Sequence, residues 1–186
     1  VIPWICMPSN FVEGGRVPKV IQIVTLKKPD HADGFAMLFN TKRVVSWFCR
    51  ADGVGGGEYE RIVHDGVAEL VATTHACAIL KHNSNIEAWG LGRFGGDYDI
   101  EHHDIRTLVR VHNGSEFGAF VALTGMGGLI HWGDMWPSSP NTIAWLSHGD
   151  IVQLVSHHCC LFIRRRGGET KFLCPDSAHG KRCRVL

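Results

Sequence analysis

Tryptophan residues recur along the chain at a nearly constant interval. Trp4, Trp47, Trp89 and Trp132 are separated by 43, 42 and 43 residues, and Phe172 follows 40 residues after the last of them. A fixed period of this length is typical of proteins built from similar supersecondary units that pack against their neighbours. The spacing therefore predicts a repeat protein with about four units of ~43 residues.

Each unit has the pattern of a β-hairpin that is preceded by another strand. A hydrophobic residue lies nine residues before each of the last four aromatic anchors, at Leu38, Leu80, Leu123 and Ile163. Turn-forming residues such as Asn40-Thr41 separate the two apolar segments. A further β-rich run precedes each hairpin, at residues 20–24, 67–71, 108–111 and 151–155. A unit is thus expected to contain three to four strands.

This organisation favours an all-β, propeller-like fold in which the whole chain, residues 1–186, forms a single repeat domain. The aromatic anchors are expected to pack in the core, because an aromatic residue at a fixed position of a repeat is first of all a packing residue. Trp136 and Trp145 lie outside the register, and they are therefore candidates for exposed contacts.

The first residues, Val1 to Trp4, have the pattern of the aromatic strand of a unit whose earlier strands are missing. Propellers often close by pairing strands from the two termini, which removes exposed edges. We expect either such a closure, with Lys171–Cys174 beside the N-terminal strand, or a truncated repeat. The sequence does not specify a cellular compartment. Its composition fits a soluble or peripheral protein, and it also fits an organellar protein from which a leading segment has been removed.

The second unit carries the most specific pattern. A β-run at Val67–Val71 leads through a small-residue bend with His75 to an apolar strand, and a second strand ends in Trp89-Gly90 before a Gly-rich loop. This pattern resembles the repeat of the regulator of chromosome condensation family. The resemblance covers nearly the whole chain and is most specific in the middle two units, in which Gly133 matches Gly90. In the last unit, His158 matches His75.

The resemblance implies a β-propeller that serves as a platform for protein interactions. Members of that family are usually seven-bladed, and some are guanine nucleotide exchange factors, chromatin binders or light sensors. This chain has about four units, and they are shorter than the usual ones. The resemblance therefore implies either a small four-bladed toroid or an open arc that a partner completes, and no residue of an exchange loop can be matched.

Catalytic and metal-binding motifs are absent from the sequence. The pairs His102-His103 and His157-His158, with Cys159 near the second, supply at most two ligands on one face of a strand. No CxxC, no GxSxG and no phosphate-binding loop with a Lys-Ser/Thr ending occurs. We therefore predict no catalytic residue, no cofactor and no metal site, and we expect most of the seven cysteines to be reduced and buried.

Basic residues cluster near the C-terminus of a chain whose net charge is only +1, and three of them, Arg164 to Arg166, are predicted to occupy the hairpin turn of the last unit. Candidate partner-binding residues are the arginines and lysine of this cluster and the two out-of-register tryptophans: Arg164, Arg165, Arg166, Lys181, Arg182, Arg184, Trp136 and Trp145. Such residues suit docking to an acidic protein surface, a lipid headgroup or an RNA backbone. The alternative is a solvated turn followed by a disordered tail.

The sequence favours a non-catalytic protein-interaction or scaffold module, an accessory subunit of a larger assembly such as a ribosomal, respiratory or photosynthetic complex. The near-neutral charge indicates no specific nucleic-acid partner, and no apolar run is long enough to span a bilayer, although peripheral membrane contact stays open. The alternatives are a regulatory exchange factor, and a hydrolase or lyase with a central propeller site.

Overall fold

The computed structural model describes residues 18–27, 33–48, 60–98, 104–113, 117–134, 146, 149–157 and 160–173. The fold is all-β, as predicted. Within the described residues the strands are β1 Val20–Lys27, β2 Asp33–Phe39, β3 Val44–Phe48, β4 Glu60–His64, β5 Val67–Ala72, β6 Ala76–Lys81, β7 Ile86–Gly90, β8 Ile105–Asn113, β9 Phe117–Thr124, β10 Leu129–Gly133, β11 Ile151–His157, β12 Cys160–Arg165 and β13 Thr170–Leu173.

The strands form four antiparallel sheets in which neighbours along the chain are neighbours in the sheet. Sheet 1 contains β1–β4, sheet 2 β5–β7, sheet 3 β8–β10 and sheet 4 β11–β13. Strands β1, β5, β8 and β11 match the four β-rich runs that the sequence placed before the hairpins. The chain divides into two compact units, Val1–Val67 and Ala68–Leu186, of which the first contains sheet 1 and the second contains sheets 3 and 4 with nearly all of sheet 2.

The same turn closes the central hairpin of every sheet. The N–H of its first residue donates to the carbonyl oxygen four residues later, and the carbonyl oxygen of the same residue accepts from the N–H three residues later. The N···O distances are 2.8–3.0 Å. Its fourth residue has a positive φ, as a three-residue hairpin loop with a bulge requires. These fourth residues are Lys42, Ser84, Gly127 and Gly168. Their separations of 42, 43 and 41 residues confirm the repeat in three dimensions.

A bulge in the first strand is a second shared feature. The pairing of the first strand with the second shifts by one residue after Val20, Ile105 and Ile151, in sheets 1, 3 and 4. The three residues pair with the first residue of the hairpin turn in their own sheet. Because a bulge changes which face the following residues point to, the first strands do not alternate regularly in sequence.

The pairing register corrects one of the predicted anchors. Trp89 and Trp132 lie eight residues after the first residue of their turns and are only 9% exposed. The corresponding residue of sheet 4 is Leu173, which is 8% exposed, whereas Phe172 is 61% exposed. The prediction that Phe172 is a core anchor is therefore wrong, because a shift of one residue moves a strand side chain to the opposite face of the sheet.

Of the other two tryptophan anchors, the structure gives the strand pairing of Trp47 and does not describe Trp4. Trp47 lies on β3 opposite Phe35, at the same register position as Trp89 opposite Cys77. Trp4 lies outside the described residues, and so does the N-terminal strand that was expected to pair with Lys171–Cys174. In the structure β13 pairs with β12.

The second unit is built in layers, with sheet 3 between sheets 2 and 4. Ala119, Val121 and Leu123 of β9 join a buried cluster with Leu154 and Ile163 of sheet 4. The alternate residues of β9 face the other way. Phe120 and Ala122 join a second buried cluster that contains residues of sheet 2. Strand β9 is thus buried on both sides, which explains its continuous apolar sequence.

The first unit has its own small core on one side of sheet 1. Met37, Phe39 and Val45 are buried there, with Val20 and Phe35 packed against them. All five residues lie on β1, β2 or β3. The central hairpin, β2–β3, therefore supplies most of this core, as the central hairpins of the other sheets supply core residues.

The Trp-Gly pairs that suggested the family resemblance have a clear structural cause. Gly90 and Gly133 directly follow the buried tryptophans and have positive φ values of 120° and 97°. A Cβ on Gly133 would lie 2.5 Å from the carbonyl oxygen of Gly118. Glycine is therefore required both by the backbone conformation and by the close approach of the neighbouring strand.

The Gly-rich loop after Trp89 is a structural element of the second unit. It contains a short 3-10 helix, Gly92–Phe94, whose Phe94 is fully buried. Gly95 ends this helix with a φ of 91°. Thr73, in the bend after β5, donates a hydrogen bond from Oγ1 to the carbonyl oxygen of Phe94 at 3.1 Å. The loop is therefore held against the bend that follows β5.

Candidate interaction surface

The three consecutive arginines near the end of the described chain do not have the same environment. The sequence placed all three in the hairpin turn, but Arg164 and Arg165 end strand β12, and only Arg166 is wholly in the turn. Because successive side chains of a strand point to opposite faces, Arg164 and Arg165 lie on different sides of sheet 4. The basic cluster is therefore divided by the sheet.

Arg165 is held by carboxylates of the protein itself. Its Nε lies 3.0 Å from Oδ1 of Asp150, and its Nη1 lies 3.1 Å from Oε2 of Glu169. Only 11% of the side chain of Arg165 is exposed. Its charge is thus compensated within the sheet, and it stabilises the turn rather than presenting a free cation.

Arg164 and Arg166 are exposed, in contrast to Arg165. Within the part of the chain that the structure describes, neither guanidinium group has a carboxylate partner. The backbone N–H of Arg166 donates to the carbonyl oxygen of Asp150 at 3.0 Å, which fixes the position of this residue next to the first strand of the sheet. Two uncompensated positive charges therefore lie at one end of sheet 4.

A partly exposed apolar row crosses the same sheet. Val155, Phe162 and Phe172 are directly opposite one another on β11, β12 and β13. The two phenyl rings have centroids 5.1 Å apart, and Val155 and Phe172 are 45% and 61% exposed. Phe162 and Arg164 are two residues apart on β12, so they lie on the same side of the sheet. We call Val155, Phe162, Phe172 and Arg164 the outer surface of sheet 4.

Sequence reasoning missed this row because Phe172 was taken as a core anchor. The sequence of β12 carries a weak signal only, because alternation gives each face an arginine. Phe162 shares one face with Arg164, and Leu161 and Ile163 share the other with Arg165.

The remaining predicted partner-binding residues cannot be placed on this surface. Trp136, Trp145, Lys181, Arg182 and Arg184 lie outside the described residues. Of the eight candidates, the structure therefore brings together Arg164 and Arg166 on exposed positions and shows Arg165 in an internal ion-pair network.

The histidine and cysteine residues that invited a metal hypothesis are only partly described. His157 is exposed at the end of β11 and lies opposite Cys160, while His102, His103, His158 and Cys159 are outside the described residues. The ranges that the structure describes contain no group of three or more His, Cys, Asp or Glu side chains that could hold a metal ion.

The cysteines differ from one another in their chemistry. Cys77 is a free thiol on β6 and is completely buried, as expected, and burial raises the pKa of this thiol. Cys160, in contrast, is disulfide-bonded. Its sulfur is therefore not available as a thiolate ligand for a metal.

No model of a known protein family matches the chain, and no curated protein matches it with significant similarity. The resemblance to the regulator of chromosome condensation repeat therefore depends on the residues of the repeat alone. No helix among the described residues is long and apolar enough to cross a membrane.

Proposed function

We propose that this chain is a non-catalytic protein-interaction or scaffold module that acts as an accessory subunit of a larger assembly. The observation that carries the proposal is the outer surface of sheet 4, where Phe172 is 61% exposed beside Arg164. Exposed aromatic residues next to arginines are typical of the centres of protein interfaces, since both residue types are enriched among those that dominate binding energy.

The repeat is proposed to be a small propeller or an open arc of the regulator of chromosome condensation type. The supporting observations are the four identical hairpin turns and the face-to-face layers of the second unit, where β9 is buried on both sides. In a propeller, sheets that follow one another in the chain pack in this manner around an axis. An experimental structure in which sheets 3 and 4 pack edge to edge would contradict this proposal.

The functional proposal is tested by affinity purification of the tagged full chain from its native cells, followed by sedimentation analysis. The expected result is a complex with at least one protein in stoichiometric amount. A chain that sediments as a monomer, without any stoichiometric protein partner, would overturn the proposal. An enzymatic turnover by the purified chain alone would overturn its non-catalytic part.

A further inference from the structure

We propose that the outer surface of sheet 4 is the docking site of a protein partner whose own surface is apolar at its centre and carries carboxylates at its rim. This inference rests on the proposed function and names the surface and the kind of partner. It is carried by the comparison of sheet 4 with sheet 3, by the types of residue exposed, and by the charges around them.

The comparison starts from the hairpin turns, which align the two sheets residue by residue. Val121 lies three residues before the first residue of its turn, Thr124, as Phe162 does before Arg165. Val109 pairs with Val121, and Val155 pairs with Phe162. The row on the outer surface of sheet 4 is therefore the structural equivalent of the row on sheet 3 that sheet 4 covers.

The covered row and the exposed row have different accessibility. Val121 is completely buried, because the side of sheet 3 on which it lies packs against Leu154, Leu161 and Ile163 of sheet 4. In this repeat, a position of that kind is an interface between two β-layers. Phe162 occupies the corresponding place on sheet 4 without a described layer over it, and Phe172 is paired with it, so the surface has the chemistry of half an interface.

The residue types strengthen this point. At the place of Phe172, sheet 3 has His131, which pairs with Val121 as Phe172 pairs with Phe162. Sheet 4 therefore carries an aromatic residue where sheet 3 carries an imidazole. A solvent-facing position disfavours phenylalanine, whereas an exposed phenylalanine is a common anchor of a binding surface.

The charges determine the character of the partner. Arg164 lies beside the aromatic row, Arg166 follows in the turn, and only Arg165 is compensated by Asp150 and Glu169. Guanidinium groups bind carboxylates through paired hydrogen bonds, so a partner with Asp or Glu at the rim of an apolar patch complements this surface. A second copy of the chain that docked through the same surface would bring like charges together, which disfavours a symmetric dimer.

The first experiment identifies what touches the surface. Benzoylphenylalanine replaces Phe172 in the tagged full chain, the chain is expressed in its native cells, and photo-crosslinked peptides are sequenced. A matched control has the same probe in place of Met126, which is 84% exposed in the turn of sheet 3. The expected result is a protein segment, crosslinked from position 172 and not from position 126, with apolar residues flanked by Asp or Glu.

The second experiment measures affinity for that segment as a synthetic peptide. Phe172→Thr keeps a strand-favouring side chain and removes the aromatic ring, and Arg164→Gln removes the charge and the guanidinium donors but keeps a polar side chain. Each variant is expected to weaken binding by at least about tenfold. Arg164→Gln should also reduce the salt dependence of binding. Ile21→Thr, at an exposed apolar position of sheet 1, is the control that leaves affinity unchanged.

The outcomes separate this inference from the proposed function. If the chain copurifies with a stoichiometric protein, but position 172 gives no crosslink and Phe172→Thr binds that protein as the unchanged chain does, the inference is wrong and the proposed function stands. Crosslinks from position 172 to a second copy of this chain, to a basic segment, or only to lipid or nucleic acid would also overturn it. Equal thermal midpoints of the variants show that any loss of binding does not come from unfolding.

Discussion

The indole Nε1 of Trp132 donates a hydrogen bond to the carbonyl oxygen of Gly95 at 2.9 Å, with both residues buried. The last strand of sheet 3 thereby holds the loop that leaves sheet 2. The indole also contacts two other aromatic rings, with centroids 4.3 Å away for Tyr98 and 5.5 Å away for Phe120. Trp132 therefore not only fills apolar space in the core but also connects consecutive layers of the second unit.

Replacing Trp132 by Phe is expected to lower the free energy of unfolding by about 2–4 kcal/mol. The substitution keeps an aromatic ring, but it leaves the buried carbonyl of Gly95 without its indole donor and creates a small cavity. Urea denaturation of both proteins measures the difference. Phe172→Leu, at an exposed aromatic position, should change stability by less than about 0.5 kcal/mol. Equal losses from the two substitutions would contradict the assigned role of Trp132.

The glycine after this tryptophan provides a test of close packing between strands. Gly133→Ala places a Cβ against Gly118 and Ala119 at a φ of 97°, whereas Gly168→Ala has a similar φ of 87° with no atom within 4 Å. The control therefore isolates the cost of the backbone conformation, which is about 1 kcal/mol. Gly133→Ala should cost at least about 2 kcal/mol more, owing to overpacking. Thermal unfolding that shifts equally in the two variants would show that the strands are not in close contact.

Thr73 allows the hydroxyl and the methyl group of one buried side chain to be separated. Its Oγ1 accepts from the N–H of Ala76 at 3.2 Å and donates to the carbonyl of Phe94 at 3.1 Å. Thr73→Val keeps the shape and removes these bonds, which should cost about 1–3 kcal/mol. Thr73→Ser keeps the hydroxyl and should cost about 1 kcal/mol. A larger loss for serine than for valine in urea denaturation would assign the stabilisation to methyl packing.

Much of this fold is predictable from the sequence, because the features that define it are local. The period of the tryptophans, the turn residues and the apolar runs specify four hairpins and their preceding strands. The Trp-Gly pairs follow from a backbone constraint that only glycine satisfies. These signals lie within a few residues of one another, and one sequence contains them in several copies.

The outer surface of sheet 4 was not predictable in the same way, because it depends on a register that shifts by one residue. A spacing of nine residues relates Ile163 to Phe172 as it relates Leu123 to Trp132, yet the paired turn shows that Arg164 and Leu173 are the true equivalents. The ion pairs of Arg165 with Asp150 and Glu169 depend on that same register. Sequence spacing alone does not distinguish the buried face of a strand from the exposed one.

The two described cysteines should respond differently to thiol reagents. Cys77 is a buried free thiol, and Cys160 is disulfide-bonded. Iodoacetamide is therefore expected to leave both unmodified in the native protein, to modify Cys77 in urea, and to modify Cys160 only after reduction. Mass spectrometry of digested samples provides the measurement. Rapid modification of Cys77 in the native protein would contradict its burial.

The buried thiol also predicts how stability depends on alkaline pH. Burial raises the pKa of Cys77 well above its usual range, so the folded protein keeps the proton while the unfolded chain loses it above about pH 8.5. Because the unfolded state then binds fewer protons than the folded state, stability falls as pH rises, by up to about 1.4 kcal/mol per pH unit. Urea denaturation between about pH 8.5 and 10 tests this dependence. The upper limit lies at the usual pKa of tyrosine, because burial raises the pKa of Tyr98 as well and its ionisation above that limit would add to the effect.

The variant Cys77→Ala should be less stable at neutral pH but should lose this part of the pH dependence. An unchanged slope in the variant would rule out Cys77 as its source.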